Sequence, residues 1–229
     1  MQTKPRTWRY ALSSQIMLAI LTVFMFAAAA LIVATPALVG GPASGFDYTI
    51  PIFAGVIACF GVFAFFGLLA VVRTRVSLDA TTLSATVPGD HVAFLIPTFR
   101  AVRLPIAEIR SVERREEIFK QFWTTNLRDS LSVVTKAGER IGLVSATVGT
   151  IQFPLDEMAD AIARAAGVEV TDDGTVRTKA PGLYGEASSS WTETPLDEKS
   201  ANAARDRVLL GMQIAAGLIL LGVVLRACT

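Results

Sequence analysis

The sequence predicts a membrane α-helical protein with three transmembrane helices. A mainly-β domain, closed by a C-terminal capping helix, is expected between the second and third. Three observations carry this. The 229 residues are 52% hydrophobic and 18% charged, with a mean hydropathy of +0.50, whereas soluble domains run near about 25% charged. Three apolar runs are each long enough to cross a bilayer. Between the second and third lie short alternating segments separated by turn residues. Intrinsic disorder, collagen and a disulfide scaffold are excluded by the same composition.

The N-terminal tail, residues 1–14, carries Lys4, Arg6 and Arg9. No charge follows until Asp47, and the apolar core 16–39 predicts a first transmembrane helix over 15–39. A cleaved signal peptide shares the basic start, but its apolar core is only about 7–15 residues, so the helix is expected to be retained. Pro36 falls in its last turn, where it does little harm. Residues 40–49 are rich in Gly and Pro with Asp47 as their one charge, and read as an external hairpin loop. The second helix, 50–72, is rich in Phe: Phe53, Phe60, Phe63, Phe65 and Phe66. A third, 208–226, follows Arg207; its apolar run reaches about 27 Å as a helix, just enough for a bilayer core.

Basic residues set the orientation. Lys4, Arg6 and Arg9 precede the first helix, Arg73 and Arg75 follow the second, and Arg205 and Arg207 precede the third. All three groups share one side if the N-terminus is cytoplasmic and the C-terminus external, as in a cell inner membrane. Trp8 and Tyr10 stand where interfacial aromatic anchors belong. Apart from Arg226 at the end of the third, the runs hold no charged residue, which disfavours a transporter acting alone. Ala54 with Ala58, and Gly211 with Ala215, are small pairs that let helices approach closely. Cys59 and Cys228 have neither metal nor redox spacing, and no disulfide is expected.

Residues 73–170 change character. Strand-like pieces lie at 75–79, 82–87, 91–96, 99–104, 130–135 and 140–144. Pro88-Gly89-Asp90 reads as a turn, and residues 136–139 as a hairpin turn. Residues 154–166 form an amphipathic helix, with Leu155, Met158, Ala159, Ile162 and Ala166 on one face and Gly167 as its stop. The segment 105–123 stays open: Ile109, Val112, Phe119 and Trp123 fit a helical stripe, yet 110–115 equally fits a strand. Residues 171–207 read as a linker, acidic at its start and then rich in Pro, Gly and Ser, with Tyr184 and Trp191 as isolated aromatics.

The run Leu-Pro-Ile-Ala-Glu-Ile-Arg-Ser-Val-Glu at 104–113 resembles a segment of bacterial pleckstrin-homology-like (PH-like) domains, where Pro-Ile is followed by a spaced Ile and Val. The resemblance covers residues 73–170 and rests on a loose apolar spacing. It implies two packed antiparallel sheets capped by the 154–166 helix, a turn at 105–109 followed by a strand, and self-assembly through sheet edges. It does not imply phosphoinositide binding. The stretch 89–99 is longer and more apolar than the family pattern.

No catalytic, cofactor-binding or metal-ligating residues are expected. His91 is the single His, so no His-based metal cluster can form. Nucleophile-elbow, P-loop and dinucleotide motifs are absent from the sequence. Glu113, Glu116 and Glu117 alternate with Arg114 and Arg115 as a self-neutralised face. Net charge is +1, which argues against a nucleic-acid partner, and no small-molecule substrate is evident. Between His91 and Leu155 there are nine basic residues against six acidic ones. Arg73, Arg75, Arg100 and Arg103 are the candidates for a lipid-facing basic patch, and Phe119, Phe122 and Trp123 for contact with a partner. The leading expectation is a non-enzymatic membrane protein whose domain binds a protein partner, or a second copy of itself, at the bilayer surface. An anionic-lipid-sensing module and a small accessory subunit of a transport or envelope complex are the alternatives.

Overall fold

The computed structural model describes residues 5–39, 49–93, 96–121, 124–147, 151–178 and 195–227. Helices α1 (Leu12–Val39) and α2 (Thr49–Arg73) pack against each other. Within them, Leu12–Thr35 and Ile50–Arg73 have mean hydropathies of 2.8 and 2.6, apolar and long enough to cross a membrane. Their large side chains point outward: Val23, Phe24, Ile52 and Phe53 are exposed. The seam is made of small groups instead, with Thr22 and Ala29 on α1 and Ala54, Gly61 and Ala64 on α2 buried. Thr22 Oγ1 donates to the Leu18 carbonyl at 2.7 Å, so its hydroxyl is satisfied within the helix.

At Gly61 the helices approach tightly. A Cβ there would lie 3.3 Å from both Met25 Cβ and the Phe26 ring. Gly61→Leu is therefore expected to force the pair apart, costing about 1–3 kcal/mol by overpacking. Thermal unfolding of the full chain in detergent checks this; an unchanged midpoint would remove Gly61 from the seam.

The first sheet has the order β1-β2-β3-β4: β1 (Arg6–Arg9), β2 (Arg75–Leu78), β3 (Thr82–Ala93) and β4 (Ile96–Pro105). Strand β1 lies in what the sequence reads as a tail. It pairs antiparallel with β2, Arg6 opposite Leu78 and Arg9 opposite Arg75. The pairing follows from matched alternation: Trp8 and Val76 are buried side by side, while Thr7, Arg9 and Arg75 face outward. One sheet thus clamps the start of α1 to the end of α2. At the β2–β3 turn, Asp79 Oδ1 accepts the N–H groups of Thr81 and Thr82, both at 2.8 Å. Pro88-Gly89-Asp90 is not a turn but lies within β3, at a register shift between Pro88 and Val92. A bulge tolerates Pro inside a strand.

The open segment resolves as a short 3-10 helix, Ile106–Glu108, followed by β5 (Ile109–Gln121). Strand periodicity is hidden because both faces of β5 are buried, with Val112 and Ile118 on one and Arg115, Glu117 and Phe119 on the other. Strands β6 (Thr124–Thr135), β7 (Arg140–Thr147) and β8 (Val170–Arg177) complete a second sheet, ordered β7-β6-β5-β8. Gly138 supplies the positive φ of 84° that the β6–β7 turn requires. Strand β8 corrects the linker reading: it runs parallel to β5, with Val112 opposite Val170 and Ile118 opposite Arg177.

Helix α3 (Leu155–Ala166) buries Leu155, Met158, Ala159 and Ile162 and stops at Gly167, whose φ is 67°. These residues join Trp8, Val76 and Leu83 of the first sheet and Val112, Leu131 and Leu143 of the second in one core. The linker reading ends early as well. Helix α4 (Glu198–Ala227) begins ten residues before the expected 208 and buries Ala201 near its start. Arg205 on α4 grips Glu116 of β5, Nη2 to Oε2 at 2.6 Å.

One buried polar cluster crosses the second sheet. Glu117 is wholly buried between Arg115 and Arg128, each about as buried. Arg115 Nη2 reaches Glu117 Oε1 at 2.6 Å, and Arg128 Nη2 reaches Oε2 at 2.5 Å. Ser130 Oγ adds a hydrogen bond to Oε1 at 2.9 Å, and the Arg128 guanidinium lies 5.4 Å from the Phe119 ring centre.

Candidate functional site

The outer face of the first sheet gathers exposed arginines from three strands. Strand alternation and register build it. Arg9, Arg75, Thr86 and Ala101 line up across β1 to β4 in one row, and Thr7, Ser77, Ser84 and Arg103 in the next. These rows enclose a shallow hollow of about 440 Å³. Arg9, Arg75 and Arg103 are exposed, and none has a carboxylate within ion-pair distance among the described residues. Neither row contains an acidic residue.

Arg73 adds to this face from the end of α2. Its guanidinium stands 5.5 Å from the ring centre of Phe99, which is paired with Pro88. The hydroxyls have room to turn toward a ligand: Ser77 Oγ reaches only the Ser84 carbonyl, at 3.4 Å. Among the acids with described side chains, Asp79 feels the Arg103 charge. Its carboxyl is held below the usual range first by the Thr81 and Thr82 N–H groups, and by the Arg103 charge only as a smaller cause. The face therefore combines cations with hydroxyl donors, a set suited to a phosphate oxyanion.

Three of the four sequence candidates, Arg73, Arg75 and Arg103, meet here. Arg100 does not. It is paired with the buried Val87, and its Nη2 donates to the Gly142 carbonyl of β7 at 3.1 Å, tying the two sheets together. Arg9 joins instead; the sequence reading used it only as a topology signal because β1 was hidden in the tail. The aromatic candidates divide differently. Phe119 is buried beneath Arg128 and is not a surface contact, while Phe122 and Trp123 lie outside the described residues.

A larger cleft, about 590 Å³, lies between α3, β5, β8 and α4, with Arg114, Glu116, Asp129, Asp156, Asp172 and Arg205 in its lining. Carboxylates outnumber arginines in it, and both Arg114 and Arg205 are paired. Arg114 pairs with Asp156 and Asp172, and Arg205 with Glu116, which also accepts Thr175 Oγ1 at 2.8 Å. This cleft reads as the joint that seats α4 on the domain. Among the described residues no three His, Cys, Asp or Glu side chains are grouped to hold a metal ion.

Asp129 is the strained member of this joint: burial, then the Glu116 charge, raises its pKa. The folded state thus holds the Asp129 proton more tightly than the unfolded chain does. Its ionisation weakens the fold as pH climbs from the ordinary Asp value of about 3.9 through the raised one. Asp129→Asn is expected to stabilise the chain at pH 7, and the gain should vanish below pH ~4. Melting temperatures of both proteins across pH 3–8 check this; a pH-independent difference would contradict it.

Fold and site together define a class: a double-sheet domain closed by a helix, rooted on two helices apolar enough to cross a membrane. Comparison with protein families, curated proteins and solved structures finds no match to the chain.

Proposed function

We propose that this chain is a non-enzymatic integral membrane protein whose membrane-rooted domain engages anionic phospholipid headgroups through Arg9, Arg73, Arg75 and Arg103. The observation that carries the reading is a sheet face with cations and hydroxyls in register and no acid in its two rows. Arg9 lies three residues before α1 begins, and Arg75 two after α2 ends, so the cations sit at headgroup level. In this reading α4 is a third span, and the membrane is a bacterial inner membrane with the N-terminus and domain cytoplasmic and the C-terminus external. The charge placement supports this orientation, as does β1 pairing with β2, which keeps the N-terminus on the side of the domain. Two sheets closed by α3 agree with the arrangement the PH-like resemblance implies, but the second is mixed rather than antiparallel, because β8 runs parallel to β5. Burial of Phe119 weakens the competing protein-partner reading.

Native mass spectrometry of the detergent-solubilised full chain tests the proposal. Retention of phosphatidylglycerol over phosphatidylcholine, lost on raising the salt, is expected. Equal retention of both lipids would count against it.

A further inference from the structure

The β3–β4 hairpin outruns the rest of its sheet. Arg75 opens β2 and stands opposite Thr86, yet β3 continues to Ala93 and returns from Ile96. Because β3 is antiparallel to β2, this extension runs toward the end of the sheet that carries α1 and α2. Seven residues of regular strand would rise roughly 23 Å, and the bulge between Pro88 and Val92 shortens that. The hairpin is tied to α2 at the level of Arg73 and Phe99. Beyond the bulge it is paired Val92 to Pro97 and Ala93 to Ile96, and Ile96 is 49% exposed.

Charge is arranged to match. Asp90 and His91, the ionisable residues of the extension, both fall within the bulge, and the sequence from 92 to 97 has none. A self-paired hairpin satisfies much of its own backbone, and Pro97 removes a donor from the β4 edge. An exposed Ile on a hairpin that touches an apolar helix, past the level of Arg73 and Arg75, matches the headgroup–acyl boundary.

We propose that the β3–β4 hairpin dips at Ile96 into the bilayer interface beside α2, so that the domain is seated by insertion as well as by charge. The proposal rests on α1 and α2 crossing the membrane.

The test uses the full chain with Cys59 and Cys228 replaced by Ser. Single cysteines at Ile96, at Val23 (exposed on α1) and at Ala107 (exposed on the 3-10 helix) each carry a nitrobenzoxadiazole probe. The protein is reconstituted in vesicles of phosphatidylcholine and phosphatidylglycerol. Quenching by lipids spin-labelled near the headgroup is compared with quenching by aqueous iodide. At Ile96→Cys we expect lipid quenching severalfold stronger than at Ala107→Cys, and iodide quenching correspondingly weaker. Iodide quenching at Ile96→Cys equal to that at Ala107→Cys, with Val23→Cys shielded, would overturn the insertion while leaving α1 in the bilayer. Iodide access at Val23→Cys as well would overturn the membrane reading and the insertion with it.

Discussion

Glu117→Ala is expected to destabilise the domain by about 3–5 kcal/mol, enough to unfold it at moderate temperature. Glu117 is the shared counter-ion of two arginines, each 1% exposed. Deleting it leaves two buried guanidinium groups facing each other. Burial already lowers the pKa of Arg128, and the Glu117 charge is the largest effect opposing that shift. Ser130 Oγ would also lose its carboxylate acceptor. The informative control replaces Arg115, Glu117 and Arg128 together by apolar residues of similar volume. Such a swap is often neutral or stabilising, because no charge is left to desolvate. Chemical denaturation of the detergent-solubilised protein distinguishes the two. A single variant costing under about 1 kcal/mol would show that the carboxylate is not the element holding this charge in the interior.

Replacing Arg9, Arg75 and Arg103 together by Gln is expected to leave the fold intact and weaken binding of a soluble short-chain phosphatidylglycerol by roughly two orders of magnitude. Each well-placed cation contributes about 1 kcal/mol toward an anionic headgroup, and about 1.4 kcal/mol is a tenfold change in affinity. The side chains are exposed and make no ion pair with described residues, so little stability should be lost. Arg100→Gln is the contrasting variant. Its hydrogen bond goes to the Gly142 carbonyl, so it should lower stability without changing lipid affinity. Titration against short-chain phosphatidylglycerol and phosphatidylcholine, at low and high salt, checks both. Equal loss from Arg100→Gln and from the triple replacement would remove the face as the binding site.

How much was legible in the sequence follows from which signals are local. The first two apolar runs and the 154–166 amphipathic helix announce themselves by length and period, and α1, α2 and α3 lie where those signals point. Strand β5 was ambiguous because Arg115 and Glu117 are buried as a charge cluster, which erases the alternation of polar and apolar residues. Strands β1 and β8 carry no local signal because each is held by a non-local partner: β1 by β2, across the helical pair, and β8 by β5. Asp172, Asp173 and Gly174 look like a loop, yet Gly174 sits at the β8 register shift, and Asp172 accepts both its N–H and Arg114. The basic face was half legible for the same reason. Arg75 and Arg103 fall on it by strand parity, Arg100 falls off it by the same parity, and Arg9 could be added only once β1 was paired.

The most direct test of the account is photo-crosslinking in native-like membranes with a phosphatidylglycerol whose headgroup carries a diazirine. Adducts on peptides spanning β1, β2 and β4, suppressed by the triple arginine replacement and weak with the matched phosphatidylcholine probe, are the expected result. Labelling confined to α1 and α2, equal for both probes and unchanged by the replacement, would contradict the claim that this sheet face binds anionic headgroups.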